Sequence, residues 1–316
     1  MKKDKISKNK IITIVGNILM IVSVFFIAKY IYEQNIDFAF LKERANIIVA
    51  ILLILLSSVG VICLAMAWKN NLETISKTCI ISKEDAIWLC SKANLARYIP
   101  GNVAHYASRN IIGIKYNLQQ ETMVLASVME IVLVVLVGGM IIISLMYADV
   151  KLVVSNILME YKIPMPMLCI LVILIVSVGI AFIFCYCKKR KYRISSRQIA
   201  KSIKSIIIYT LFHFINVVVF GIMIIIIFEH GSLEQIVSLG GCYLSAWIIG
   251  MLTPGAPGGI GIREYVLLFL LKNQLAEDII LQLAVLMRII TVGGDIVAAI
   301  IGVAIHGKKR LVSTGQ

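Results

Sequence analysis

The sequence predicts an all-α polytopic membrane protein, with six full transmembrane helices plus two re-entrant helical hairpins in inverted repeats. Three observations lead there. Of 316 residues 60% are hydrophobic and only 15% charged, with a mean hydropathy of +0.94, a composition outside that of soluble globular domains. Six apolar runs are each long enough to cross a hydrocarbon core of roughly 30 Å as a helix rising about 1.5 Å per residue. Two further segments share one order of cap, turn and arginine. The chain is read as a single membrane domain, residues 1–316.

The basic stretch 1–10 precedes an apolar run at 11–32. The length of that run, and the lack of a small-residue cleavage site after it, make it a retained first span rather than a signal peptide. The later runs are 47–68, 122–147, 165–187, 206–228 and 279–305. Six spans put both termini on one side, and the Lys/Arg distribution says which. Segments 1–10, 69–83, 188–204 and 308–310 hold five, three, eight and three basic residues, whereas the opposite connections hold only Lys42, Arg44, Lys151, Lys162 and Lys272, mixed with acids. By the positive-inside rule both termini are cytoplasmic, in a multi-pass protein of the cell membrane. The net charge of +14 is thus a topology signal, and no basic patch interleaved with aromatics points to nucleic acid. The basic run 188–193 admits anionic-lipid recognition as an alternative. The seven cysteines are scattered, without metal-ligand spacing except in the weak pair Cys185-Tyr-Cys187, and read as small buried hydrophobes.

Segments 82–121 and 232–274 are not simple loops. Each opens on a capping-box pattern, Ser82-x-x-Asp85 and Ser232-x-x-Gln235, and runs through a partly apolar helix into a Pro-Gly pair, Pro100-Gly101 and Pro254-Gly255. An arginine stands nine residues past each proline, Arg109 and Arg263. Proline removes a donor, so neither helix passes its Pro-Gly pair, and broken backbone at membrane depth needs protein or water around it. The second arms, about 102–117 and 259–272, are too short or too polar to span. Repeat one covers about 47–147 and repeat two about 206–305, joined by the connecting span 165–187. Three crossings separate the helices that open them, so the repeats are inverted, as in transporters built from discontinuous helices. The first hairpin is expected to enter from the cytoplasm and the second from outside.

Ionisable groups at membrane depth cost roughly 2.5 to 3.5 kcal/mol each on insertion scales, so each needs a partner or a wet cavity. The candidates are Arg109, Arg263, Glu264, Glu130, Arg288 and Asp295. Arg288 and Asp295, seven apart, share one helix face. Two readings stand. In one, these groups form internal ion pairs, such as Glu130 with an arginine, and bind nothing. In the other, the arginines offer guanidinium forks to a phosphate, helped by backbone N–H groups at Asn102 and near 259–261. Gly258, Gly259 and Gly261 then let a head group approach the backbone, while the carboxylates balance charge or touch a cationic head group. His105 and His213 either line the cavity or make helix contacts. No nucleophile with its base, metal-ligand cluster, haem motif or Gly-Lys-Ser/Thr phosphate loop is present, so no catalysis by this chain alone, no cofactor and no metal are expected.

The run Arg97-Tyr-Ile-Pro-Gly-Asn-Val, followed by Thr253-Pro-Gly-Ala-Pro-Gly-Gly-Ile-Gly-Ile-Arg-Glu, resembles the lysylphosphatidylglycerol synthase transmembrane region, the flippase-like integral membrane family of bacteria and archaea. The resemblance covers nearly the whole chain and departs at Ala256-Pro257, where a direct Pro-Gly-Gly run is usual. It implies a stand-alone membrane domain, without the cytosolic synthase domain, that moves an anionic or aminoacylated phospholipid, or a polyprenyl-linked lipid, between leaflets. The alternative is a non-transporting membrane partner that presents lipid to a separate synthase or glycosyltransferase.

Overall fold

The computed structural model describes residues 44–76, 80–99, 103–146, 196–227, 233–253 and 257–314. In chain order these form α1 (Arg44–Ile75), α2 (Lys83–Asn94), α3 (Ala104–Gly113), α4 (Gln120–Leu145), α5 (Ser196–Ile222), α6 (Leu233–Leu252), α7 (Ile262–Leu271) and α8 (Glu277–Thr314). Short 3-10 turns lie at Leu95–Tyr98, Ile114–Tyr116 and Pro257–Gly259, and a π turn at Met223–Ile227. No strand occurs among the described residues. Four helices, α1, α4, α5 and α8, are long and apolar enough to cross a membrane. The expected spans at 11–32 and 165–187 lie outside the described residues.

The long helices turn apolar side chains outward as well as inward. Ile47, Ile48, Ile51, Leu52 and Leu55 of α1 are exposed, as are Met140 and Ile143 of α4 and Ile203, Ile207, Leu211 and Phe214 of α5. Spacings of three and four keep such residues on one helix face. Contiguous apolar faces of this extent are rare on proteins that meet water and suit a lipid surround.

At their polar ends α1 and α5 outrun the apolar runs that predict them. The run 47–68 ends seven residues before α1 does, and the run 206–228 starts ten residues after α5 begins. The extensions hold because their polar groups find partners across the α1–α5 interface. The Ser205 hydroxyl donates to the Ala67 carbonyl (3.3 Å), Gln198 Nε2 to the Thr74 carbonyl (2.6 Å) and Lys201 Nζ to Glu73 (2.6 Å). Residue numbers rise along α1 as they fall along α5, so these two helices are antiparallel.

The helix contacts fall into matched sets. α1 packs on α5; α1 on α8 is answered by α5 on α4, and α2 on α8 by α6 on α4. Within each half, α1–α2, α2–α3 and α3–α4 are answered by α5–α6, α6–α7 and α7–α8. Exchanging the first four helices for the last four leaves these pairs unchanged. The α1–α4 contact breaks the match, since α5 and α8 make none of similar extent. Each half is therefore a long helix, a broken pair of short helices and a second long helix.

Candidate functional site

The break in each short pair follows from its local sequence. In the first, the Ser82 hydroxyl caps α2 by accepting from Asp85 N (3.1 Å). The helix then tightens into the 3-10 turn Leu95–Tyr98, and Ile99 is extended at φ −75°, ψ 139°, as a residue before proline must be. In the second pair, Gly258, Gly259 and Gly261 all take positive φ, at 56°, 76° and 82°. A side chain at Gly259 is excluded twice over. Its Cβ would stand 3.0 Å from Gly250 Cα and 2.8 Å from Arg263 Nε, in a conformation that L residues rarely adopt. The Gly261 N–H donates to Glu264 Oε2 (2.7 Å), closing the first turn of α7. The two breaks meet, with the turn Pro257–Gly259 seated on the turn Leu95–Tyr98. Pro100, Gly101, Asn102, Pro254, Gly255 and Ser232 lie outside the described residues.

Three ion pairs surround this meeting point. Arg109 of α3 reaches Glu130 of α4 with both Nη atoms (2.5 and 3.4 Å), and the two side chains are only 2% and 7% exposed. Arg109 also lies over the rings of Trp68 and Tyr106. In the other half, Arg288 of α8 donates to Glu264 of α7 (2.9 Å) and to the Gly258 carbonyl (3.1 Å). The same bridge, short second helix to following long helix, is thus made in both halves with the signs exchanged. The third pair crosses between halves: Asp295 of α8, fully buried, accepts from the Tyr98 hydroxyl (2.7 Å) and faces Arg97 at 3.5 Å.

Arg263 stands apart. It occupies the place equivalent to Arg109, nine residues past its proline, yet makes no ion pair or hydrogen bond among the described residues. Its Nε is buried without a partner, and its guanidinium lies 5.5 Å from the Trp247 ring centroid. Glu264 is its chain neighbour, but consecutive helix residues point about 100° apart, so Glu264 turns to Arg288 and Arg263 does not.

Arg263 borders two cavities. The larger lies between the broken pairs and is lined by Asn94, Arg97, His105 and Tyr106 from one side, Trp247, Gly258 and Arg263 from the other, and Glu130. The smaller is lined by Tyr243, Arg263, Glu264, Arg288 and Thr291 among others. Arg109 and Asp295 line neither cavity. Buried polar atoms without partners cluster here too, namely Asn94 Nδ2, His105 Nδ1 and Arg263 Nε. His213 is placed elsewhere, with Nε2 on the Val134 carbonyl (2.9 Å). Among the described residues no group of three His, Cys, Asp or Glu is arranged to hold a metal ion.

No model of a known protein family, no curated protein and no solved structure matches the chain. The site is accordingly read from its own geometry. Of the residues expected from sequence, Arg263, Arg288, Glu130 and Glu264 border the cavities, while Arg109 and Asp295 sit behind them as partners. Arg97 and Trp247 were not expected. Arg97 stands three residues before Pro100 in the same broken segment, a position that would have marked it.

A second polar cluster joins α2 to the end of α8, away from both cavities. Asp85 Oδ1 meets His306 Nδ1 (2.9 Å), and Asp85 Oδ2 meets Lys309 and the Ser82 hydroxyl. The His306 ring stacks on Trp88 at 4.8 Å. Burial alone would raise the Asp85 carboxyl, but hydrogen bonds from Lys309, Ser82 and His306 together hold its pKa below the usual aspartate value.

Proposed function

We propose that the chain is a flippase-like membrane protein that holds an anionic lipid head group between two re-entrant hairpins, α2–α3 and α6–α7, and moves it between leaflets. One observation carries the reading: Arg263, a cation with no counter-ion among the described residues, borders a cavity between the two broken pairs. An unpaired guanidinium away from bulk water is costly, and an arriving phosphate or carboxylate relieves that cost with paired, charge-assisted hydrogen bonds. Arg97 adds a second cation on the opposite wall, held only by the 3.5 Å contact with Asp295.

The wider architecture supports movement as well as binding. The antiparallel α1 and α5, and the matched contacts of the two halves, are what inverted repeats produce, and such repeats alternate access by rocking about a shared site. Six spans follow if 11–32 and 165–187 cross beside the four long helices. Both termini are then cytoplasmic, in the bacterial or archaeal cell membrane that the sequence resemblance implies.

The test is translocation of a fluorescent anionic phospholipid in proteoliposomes, read by the fraction that a membrane-impermeant quencher reaches. Wild-type protein is expected to speed exchange between leaflets, and Arg263→Gln to remove most of the gain. Equal rates for the two proteins sink the site assignment.

A further inference from the structure

Resting on that reading, we infer that the cavity selects a head group with one net negative charge and no ammonium, a simple phosphodiester rather than a zwitterionic or aminoacylated one. The charge inventory carries the inference. Among the described residues the arginines and carboxylates bordering the cavities, with their partners, are four arginines, Arg97, Arg109, Arg263 and Arg288, and three carboxylates, Glu130, Glu264 and Asp295. Counting the arginines against the carboxylates, one positive charge is left over, and it resides on Arg263. A monoanion neutralises the set, whereas a dianion overshoots it and a zwitterion brings its own cation.

That cation has nowhere to go. Both oxygens of Glu130 are taken by Arg109, and those of Glu264 by Arg288 and the Gly261 N–H. Asp295 keeps Oδ1 without a hydrogen-bond partner among the described residues, but it is fully buried and lines neither cavity. The rings of the larger cavity already carry cations, Trp247 that of Arg263 and Tyr106 that of Arg109. Among the described residues the carboxylate that borders the larger cavity, Glu130, is held by Arg109, so an ammonium there faces Arg97 and Arg263 and is repelled as well as desolvated. Glu130 and Glu264, which in sequence offer a cation site, are each held by an arginine.

The experiment measures lipid binding by native mass spectrometry or competition, with purified protein in phosphatidylcholine nanodiscs doped with one test lipid. Phosphatidylglycerol supplies a monoanionic phosphodiester, lysylphosphatidylglycerol the same phosphodiester with added ammonium groups, and phosphatidic acid a phosphomonoester able to carry a second charge. Phosphatidylglycerol is expected to bind at least ten-fold more tightly than lysylphosphatidylglycerol, and phosphatidic acid to gain no further ten-fold from its extra charge. Arg263→Gln is expected to bring phosphatidylglycerol down to the level of the phosphatidylcholine background, with Arg263→Lys restoring part of the difference. Lysylphosphatidylglycerol binding as tightly as phosphatidylglycerol, and weakened equally by Arg263→Gln, overturns the selectivity while leaving the anion site standing. If Arg263→Gln changes no lipid although its melting temperature matches wild type, the anion site itself falls.

Discussion

Arg263 and Trp247 form a cation–π pair, the guanidinium 5.5 Å from the ring centroid, in a position where the equivalent arginine of the other half, Arg109, holds a two-point salt bridge to Glu130. The pair orients Arg263 along the cavity wall without neutralising it. Cation–π contacts contribute about 0.5 to 2 kcal/mol. Trp247→Leu is therefore expected to keep the charge but loosen its aim, weakening anion binding by less than Arg263→Gln does. Titration of the two variants with phosphatidylglycerol nanodiscs checks the order, and the reverse order refutes the role of the ring.

Arg109 and Glu130 are expected to matter for stability before they matter for ligand. Removing one member of a buried pair strands the other, at a cost of about 3 to 5 kcal/mol. Arg109→Ala or Glu130→Ala should lower the melting temperature in detergent sharply, and the double substitution Arg109→Met with Glu130→Leu should recover much of the loss. Failure of the double variant to recover anything would show that Arg109 does more than balance Glu130.

Asp295 competes with ligand for Arg97. Asp295→Asn keeps a hydrogen-bond acceptor for the Tyr98 hydroxyl and removes the charge that draws Arg97 at 3.5 Å. The charge inventory then leaves two positive charges uncompensated. Phosphatidic acid is expected to overtake phosphatidylglycerol in binding to this variant, a reversal of preference that loss of structure alone would not produce.

The Asp85 cluster makes stability depend on acid pH. Its folded-state pKa lies below its unfolded value, about 3.9. The stabilisation is therefore full above that value and is lost as pH falls through the lowered folded value. Melting temperature measured from pH 6 down to pH 3 should fall more steeply for wild type than for Asp85→Asn, which begins lower and loses this contribution at every pH. Parallel curves would mean that His306 and Lys309 do not stabilise the charged carboxylate.

Gly259 tests the meeting of the two breaks. With φ at 76°, and with Gly250 Cα and Arg263 Nε within 3.0 Å of any added Cβ, Gly259→Ala combines backbone strain of order 1 to 3 kcal/mol with displacement of Arg263. It is expected to reduce both melting temperature and phosphatidylglycerol binding. Gly261→Ala, whose added Cβ meets nothing within 4 Å, should cost stability through φ alone and spare binding.

The sequence by itself determined the long apolar helices, the two broken pairs and the arginine nine residues past each proline. Those features are local: apolar length, proline's missing donor and glycine's access to positive φ act wherever the chain is placed. What only the tertiary structure decided is which arginine is free. Arg109 and Arg263 are interchangeable in their local sequence, and Arg263 even has a carboxylate beside it in the chain. The difference comes from the helix packed opposite. α4 brings Glu130 to Arg109, whereas α8 brings Arg288, which takes Glu264 and leaves Arg263 without an ion pair among the described residues. Ion pairing at this depth depends on the side chain that a distant helix delivers, and so does the charge that the cavity offers a ligand.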